Sequence, residues 1–255
     1  MVLTFAAGDV TASIDPVRGG RLASLVIDGA EVLVSRTDDA LAWGAYPMVP
    51  FAGRIRRGRF RFDDVDRCLP VNLGPHAIHG YGFVSEWDVI DDHSIGLTLG
   101  EPWPFVAEVR QWFELTASSL TMTMTAVAHE RQPMMLGWHP WFRRDIGVGH
   151  QLSLEFGAGR MYELDDEAIP TGQLVDPPGG PWDNCFTDIS TEPVLRWGPA
   201  LELRLSSTAD HWVIFDEPTH AMCVEPQTDA PDAVNRGQTS VEAGATTEIR
   251  FSISW

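Results

Sequence analysis

Four short segments place ionisable residues among apolar and aromatic neighbours. Gly137-Trp-His139-Pro-Trp-Phe142 sets one histidine between Trp138, Trp141 and Phe142. Met222-Cys-Val-Glu225-Pro-Gln-Thr228 ends an apolar run on a glutamate. Pro75-His76-Ala-Ile-His79-Gly80-Tyr-Gly carries two histidines three residues apart. The segment from Tyr46 to Phe60 crowds four arginines into the six residues from Arg54 to Arg59. A carboxylate ending an apolar strand is partly buried, which lifts its pKa towards that of a useful base. Histidine exchanges protons near neutral pH, and aromatic faces pack on the C–H side of a sugar ring. Arg54 follows Phe51, Ala52 and Gly53, a setting in which a guanidinium offers a planar donor fork to ligand oxygens. Plainer readings stand beside these. His139 could be a satisfied core histidine and Glu225 an acceptor for backbone N–H groups. Arg56, Arg57 and Arg59 could be a solvated edge.

Strands must hold these residues. Ser119–Ala128 alternates Leu120, Met122, Met124, Ala126 and Ala128 against threonines, and Leu201–Ser206 and Thr247–Trp255 alternate in the same way. Period 2 marks strands with one buried face. Shorter candidates include Leu3–Ala6, Thr11–Ile14, Leu22–Ile27, Glu108–Leu115, Leu152–Phe156, Trp212–Phe215 and Ala221–Glu225. Arg57–Phe62 also reads as a strand, with Arg57, Arg59 and Arg61 on one face. No run of ten or more residues has a helical period. The 23 glycines and 18 prolines supply frequent turn signals. The expectation is an all-β antiparallel sandwich in one domain over residues 1–255. Pro170–Pro181 reads as a long surface loop within it.

Composition narrows the function. The net charge of −18 repels phosphate backbones and anionic lipid, so nucleic acid and membrane are poor partners. Cys68, Cys185 and Cys223 are odd in number and form no CxxC pair, which argues for a reducing compartment and against a zinc ribbon or disulfide framework. No signal peptide and no membrane-length apolar run are legible, so a cytoplasmic location is expected.

Taken together and in order, the segments resemble the aldose 1-epimerases, or sugar mutarotases, of the galactose-mutarotase-like superfamily. The motifs are Met48-Val-Pro-Phe-Ala-Gly-Arg-Ile-Arg-Arg-Gly-Arg-Phe60, His76-Ala-Ile-His-Gly80, Gly137-Trp-His-Pro-Trp-Phe142, Trp182-Asp-Asn-Cys-Phe186 and Val224-Glu-Pro-Gln-Thr228. The resemblance covers nearly the whole chain. It implies a large β-sandwich with a concave sugar-binding face, a free aldose as substrate and no cofactor or metal. It implies Glu225 as base at the C1 hydroxyl, His139 as acid at the ring oxygen and His79 as the second histidine. Arg54 and Asp183 match the groups that hold sugar oxygens, and Trp138 and His76 are further candidate contacts. Gly53 stands where the family has asparagine, and Asn184 where it has histidine. A monomer or homodimer is expected.

Three other readings compete. A hexose-6-phosphate 1-epimerase would need a dianion site, which Arg56, Arg57 and Arg59 could supply. A carbohydrate-binding module would keep Arg54, the tryptophans and Asp183 without needing Glu225 and two histidines. Two histidines and a carboxylate could also form a metal triad, although no ligand pair has close zinc-motif spacing.

Overall fold

The computed structural model describes residues 1–237 and 239–255. Among these residues, the regular structure is β-strand apart from four 3₁₀ turns. Seventeen strands join in one sheet, and all pairings between strands are antiparallel. The alternating segments behave as their sequence dictates. In Ser119–Ala128 the even-numbered residues from Leu120 to Ala128 are buried, and the strand lies between Ala107–Leu115 and Thr246–Ser254. Thr246–Ser254 turns Ile249, Phe251 and Ile253 inward and pairs onward with Leu201–Ser207.

A second row of strands faces this one. Gly137–Arg143 runs between Ala45–Met48 and Ala221–Gln227. Ala221–Gln227 pairs with His211–Phe215, which pairs with the first residues of Asp183–Trp197. The far end of Asp183–Trp197 pairs instead with Leu201–Ser207, so this 15-residue strand carries the sheet from one row to the other. Trp138 and Trp212 meet Phe251 across the interior at 6.1 Å each, which closes the sandwich.

Strands of the second row are buried on both faces. All seven residues of Ala221–Gln227 and the first six of Gly137–Arg143 are buried. Their inward face joins the main core through Trp138, Phe142, Met222 and Val224. Their outward face is covered by loops and forms a smaller cluster with Tyr46, Trp141 and Cys223. The candidate residues His139 and Glu225 lie on this outward face.

Two expectations need correction. Pro170–Val175 is a strand paired with Ser153–Leu164, so the supposed loop from Pro170 to Pro181 starts as half of a hairpin. Residues 171–174 are exposed, so no buried alternation marks the strand in the sequence. The other correction concerns Arg57, which does not share a face with Arg59 and Arg61. Arg56–Gly58 is a 3₁₀ turn with Arg57 at φ 52°, and the strand begins at Arg59.

Candidate active site

A cavity of about 270 Å³ opens on the outward face of the second row. Period 2 decides which side chains reach it. On Gly137–Arg143 it turns His139 and Trp141 outward, and on Ala221–Gln227 it turns Cys223 and Glu225 outward. The registers Gly137 with Gln227 and Trp141 with Cys223 set His139 across from Glu225. Nε2 of His139 lies 3.1 Å from Oε1 of Glu225, with the side chains 7% and 3% exposed. Asp183 enters from its own strand, and Oδ2 accepts from the Nη2 of Arg54 at 3.4 Å. Arg54, His79, His139, Asp183 and Glu225 all line the cavity. The segments singled out by residue type therefore meet in one place.

Burial sets the charge states. It pushes the Glu225 carboxyl well above its usual range; nearby Asp183 adds to the rise, and Arg54 opposes it. It pulls His139 down to about 3, helped by the Arg21 cation, while the histidine's own backbone carbonyl acts the other way. Both directions favour an uncharged pair, in which the carboxyl holds the one proton and the imidazole is neutral. His79 is also held well below the usual histidine range, first by burial and then by His139 and Arg54.

The local backbone fixes His79. Its Nδ1 accepts the N–H of Gly53 at 3.2 Å, so the neutral ring carries its proton on Nε2. His79 itself sits at φ 61°, a left-handed conformation costly for a residue with a Cβ. Gly80 follows at φ 68°, and a Cβ there would lie 2.2 Å from the carbonyl oxygen of Val49. Gly53 has φ 67°, and a Cβ on it would lie 2.5 Å from Pro231. Pro231 thus fills the place a side chain at position 53 would need, which accounts for glycine where the resemblance calls for asparagine.

Tyr46, absent from the candidates read in the sequence, completes the site. It is paired with His139 in register, and its ring stacks on the imidazole at 4.7 Å. Trp141 also stacks on His139, at 5.3 Å. Arg21 sits over Tyr46 at 5.2 Å and donates to the carbonyls of Arg18, Ala40, Trp43 and Phe83.

Two proposed contacts do not reach the cavity. Trp138 points to the opposite side of its strand, where it is fully buried and its Nε1 donates to Oε1 of Gln111 at 3.1 Å. The alternation that brings His139 outward necessarily sends Trp138 inward, and the aromatic neighbour at the site is Trp141. His76 is buried outside the cavity, and its Nδ1 accepts the N–H of Arg57 at 3.0 Å to tie the arginine turn to its own loop. Asn184 does line the cavity. Arg56 pairs with Asp165 and Glu167, and Arg57 pairs with Glu167.

Comparison with known proteins identifies the family and the fold. The family model for aldose 1-epimerase matches residues 1–254. The chain belongs to the aldose 1-epimerase family. It is similar to the uncharacterized protein YphB of Escherichia coli K12, 33% identical over 38% of this chain and 36% of that protein. It is also similar to the galactose mutarotase of Rattus norvegicus, 26% identical over 52% of this chain and 42% of the rat protein. The matches thus span only about a third to two fifths of these two curated relatives. The crystal structure of a putative aldose 1-epimerase from E. coli K12 superposes with a TM-score of 0.83 at 21% identity, covering 100% of this chain and 98% of that one. The large antiparallel sheet is therefore the galactose mutarotase-like fold. Among the described residues, no helix is long and apolar enough to cross a membrane.

Proposed function

We propose that the protein interconverts the α and β anomers of a free, unphosphorylated aldose, with Glu225 and His139 as the proton-transfer pair. One observation carries this reading: a buried carboxylate and imidazole 3.1 Å apart on the wall of a cavity sized for a small molecule. Ring opening removes the proton on the C1 hydroxyl and delivers one to the ring oxygen, and closure from the other face reverses both steps. The pair needs one mobile proton in total, and its uncharged resting state holds one. Moving that proton from Glu225 to His139 gives the ionised pair. Glu225 then accepts the C1 hydroxyl proton while the Nε2–H of His139 protonates the ring oxygen. The pair returns to its uncharged state as the C1–O5 bond breaks, and no proton leaves the site. Arg54, which opposes the rise in the Glu225 pKa, favours the ionised state.

His79, neutral with Nε2–H, is a hydrogen-bond donor to sugar oxygen rather than a second acid. Arg54 and Asp183 bind hydroxyls as a donor and acceptor pair. Two features favour a neutral sugar over a sugar phosphate. Arg56 and Arg57 are already paired with Asp165 and Glu167. Asp39 and Asp183 also line the cavity, which disfavours a dianion. The chain is taken to work as one domain in a reducing, cytoplasmic setting.

The test is polarimetric mutarotation of α-D-glucose, α-D-galactose and glucose 6-phosphate by the purified protein. Acceleration with the free sugars and little with the phosphate is expected. Rates equal to buffer for every sugar would defeat the reading, and a preference for the phosphate would transfer it to the phosphosugar class.

A further inference from the structure

We propose that His139, Cys223 and Glu225 form a binding site for a soft or borderline divalent cation of the Zn²⁺ and Cd²⁺ class, and that the bound ion blocks the sugar site. One ligand atom from each residue lies within 4.8 Å of the other two. The sheet fixes this arrangement. Cys223 and Glu225 are two residues apart on one face of a strand, and the register of the neighbouring strand brings His139 beside both.

The donor set selects the ion. Nitrogen, sulfur and oxygen from three side chains, with a fourth position left for water, is a zinc pattern, whereas magnesium and calcium take oxygen ligands. The thiol is free and buried, and among the described residues its sulfur makes no hydrogen bond that coordination would break. His139 and Glu225 line the cavity, so the ion enters by the route the sugar uses. Zinc bonds of about 2.0–2.3 Å require the three donors to draw together around the ion. As the ion binds, the Cys223 thiol and the Glu225 carboxyl each release a proton to solvent, while neutral His139 coordinates through a ring nitrogen lone pair.

Binding would occupy both groups assigned to proton transfer, so inhibition should compete with the sugar. Only this inhibitory half rests on the proposed activity; the metal site itself does not.

The experiment is titration of the purified, chelator-treated protein with CdCl₂. It is followed by the ultraviolet thiolate-to-cadmium charge-transfer band, with parallel ZnCl₂ calorimetry. One equivalent of Cd²⁺ should produce the band. Cys223→Ser should abolish it and weaken Zn²⁺ by at least the about 10–100-fold that loss of a ligand's outer partner costs, while Cys68→Ser and Cys185→Ser keep both. A band that survives Cys223→Ser, or a folded wild type that binds neither ion, overturns the site. If Cys223→Ser fails to fold, zinc X-ray absorption on the wild type decides. One sulfur among nitrogen and oxygen neighbours supports the site, and no sulfur overturns it. In the mutarotation assay, Zn²⁺ should raise the apparent KM and spare kcat, and chelator should reverse this. Spectroscopic binding without inhibition would overturn the blocking role, and absence of any mutarotation would count against the proposed activity alone.

Discussion

Nε2 of His139 and Oε1 of Glu225 lie 3.1 Å apart, nearly sealed from solvent, on adjacent strands. One proton can serve both groups across that gap. Glu225→Gln removes the proposed base and His139→Asn the proposed acid, and each variant should lose about 10²–10⁴-fold in kcat while remaining folded. Because the two act as a unit, the double variant should lose little more than the worse single variant. Initial polarimetric rates with circular dichroism as a folding control measure this.

The same burial leaves a signature in stability. Glu225 titrates higher in the folded chain than unfolded, so its contribution is intact below about pH 4.5 and is lost as pH rises towards the folded value. His139, lowered to about 3, contributes above about pH 6.5 and loses its contribution as pH falls towards 3. The Tm of Glu225→Gln should therefore gain on wild type as pH rises from 4 to 8 on a scale of about 1 unit steps. The Tm of His139→Asn should gain as pH falls from about 6.5. Arg21, Arg54, Asp183, Tyr46, His79 and Cys223 surround the pair and remain present in both comparisons. Thermal melts at several pH values test both signs.

Arg54 and Asp183 face each other at 3.4 Å on the cavity wall. Arg54→Lys keeps the charge but loses the fork, and Asp183→Asn loses the anionic acceptor. Each should raise KM by about tenfold or more, with a smaller change in kcat. A full kinetic titration with sugar separates the two parameters.

Trp138 and Trp141 are distinguished by direction alone. Trp138→Phe leaves Oε1 of the fully buried Gln111 without its donor, so about 1–3 kcal/mol of stability should go while KM holds. Trp141→Ala should instead lower kcat by removing a ring that stacks on His139 at 5.3 Å. Denaturant unfolding and steady-state kinetics on both variants distinguish core from site.

Gly80→Ala tests the strained loop that holds His79. The added methyl would meet the Val49 carbonyl in a backbone region that suits glycine. A loss of about 1–3 kcal/mol is expected, with lower activity from a displaced His79. Unfolding and mutarotation should fall together.

Much of this was legible in the residues. Ser119–Ala128 and Thr246–Ser254 carry their buried faces openly, because a strand with one wet side alternates. Arg54, His79, His139 and Glu225 are recognisable by their types in apolar settings and Asp183 only by the family resemblance, and one cavity gathers all five. Ala45–Met48 and Gly137–Arg143 were illegible as strands because burial on both faces erases the period. Tyr46 was missed for a related reason. Its partner His139 lies 93 residues along the chain, and only the pairing of the two strands brings them together. Trp138 is the contact expected from the sequence, whereas it is Trp141 that lines the cavity; period 2, counted from an outward His139, separates the two. Pro170–Val175 is solvent-facing, so nothing apolar announced it.

The strand Gly137–Arg143 joins segments from opposite ends of the chain, Ala45–Met48 and Ala221–Gln227. Neither neighbour is local, so loop closure over long stretches must precede their ladders, a slow route for β-proteins. Tyr46, His139 and Glu225 come within reach of each other only when both ladders have zipped. During refolding from denaturant, recovery of mutarotation should therefore lag far-ultraviolet signals from local hairpins such as Ala107–Leu115 with Ser119–Ala128. The candidate site doubles as an internal clock for the completion of the fold.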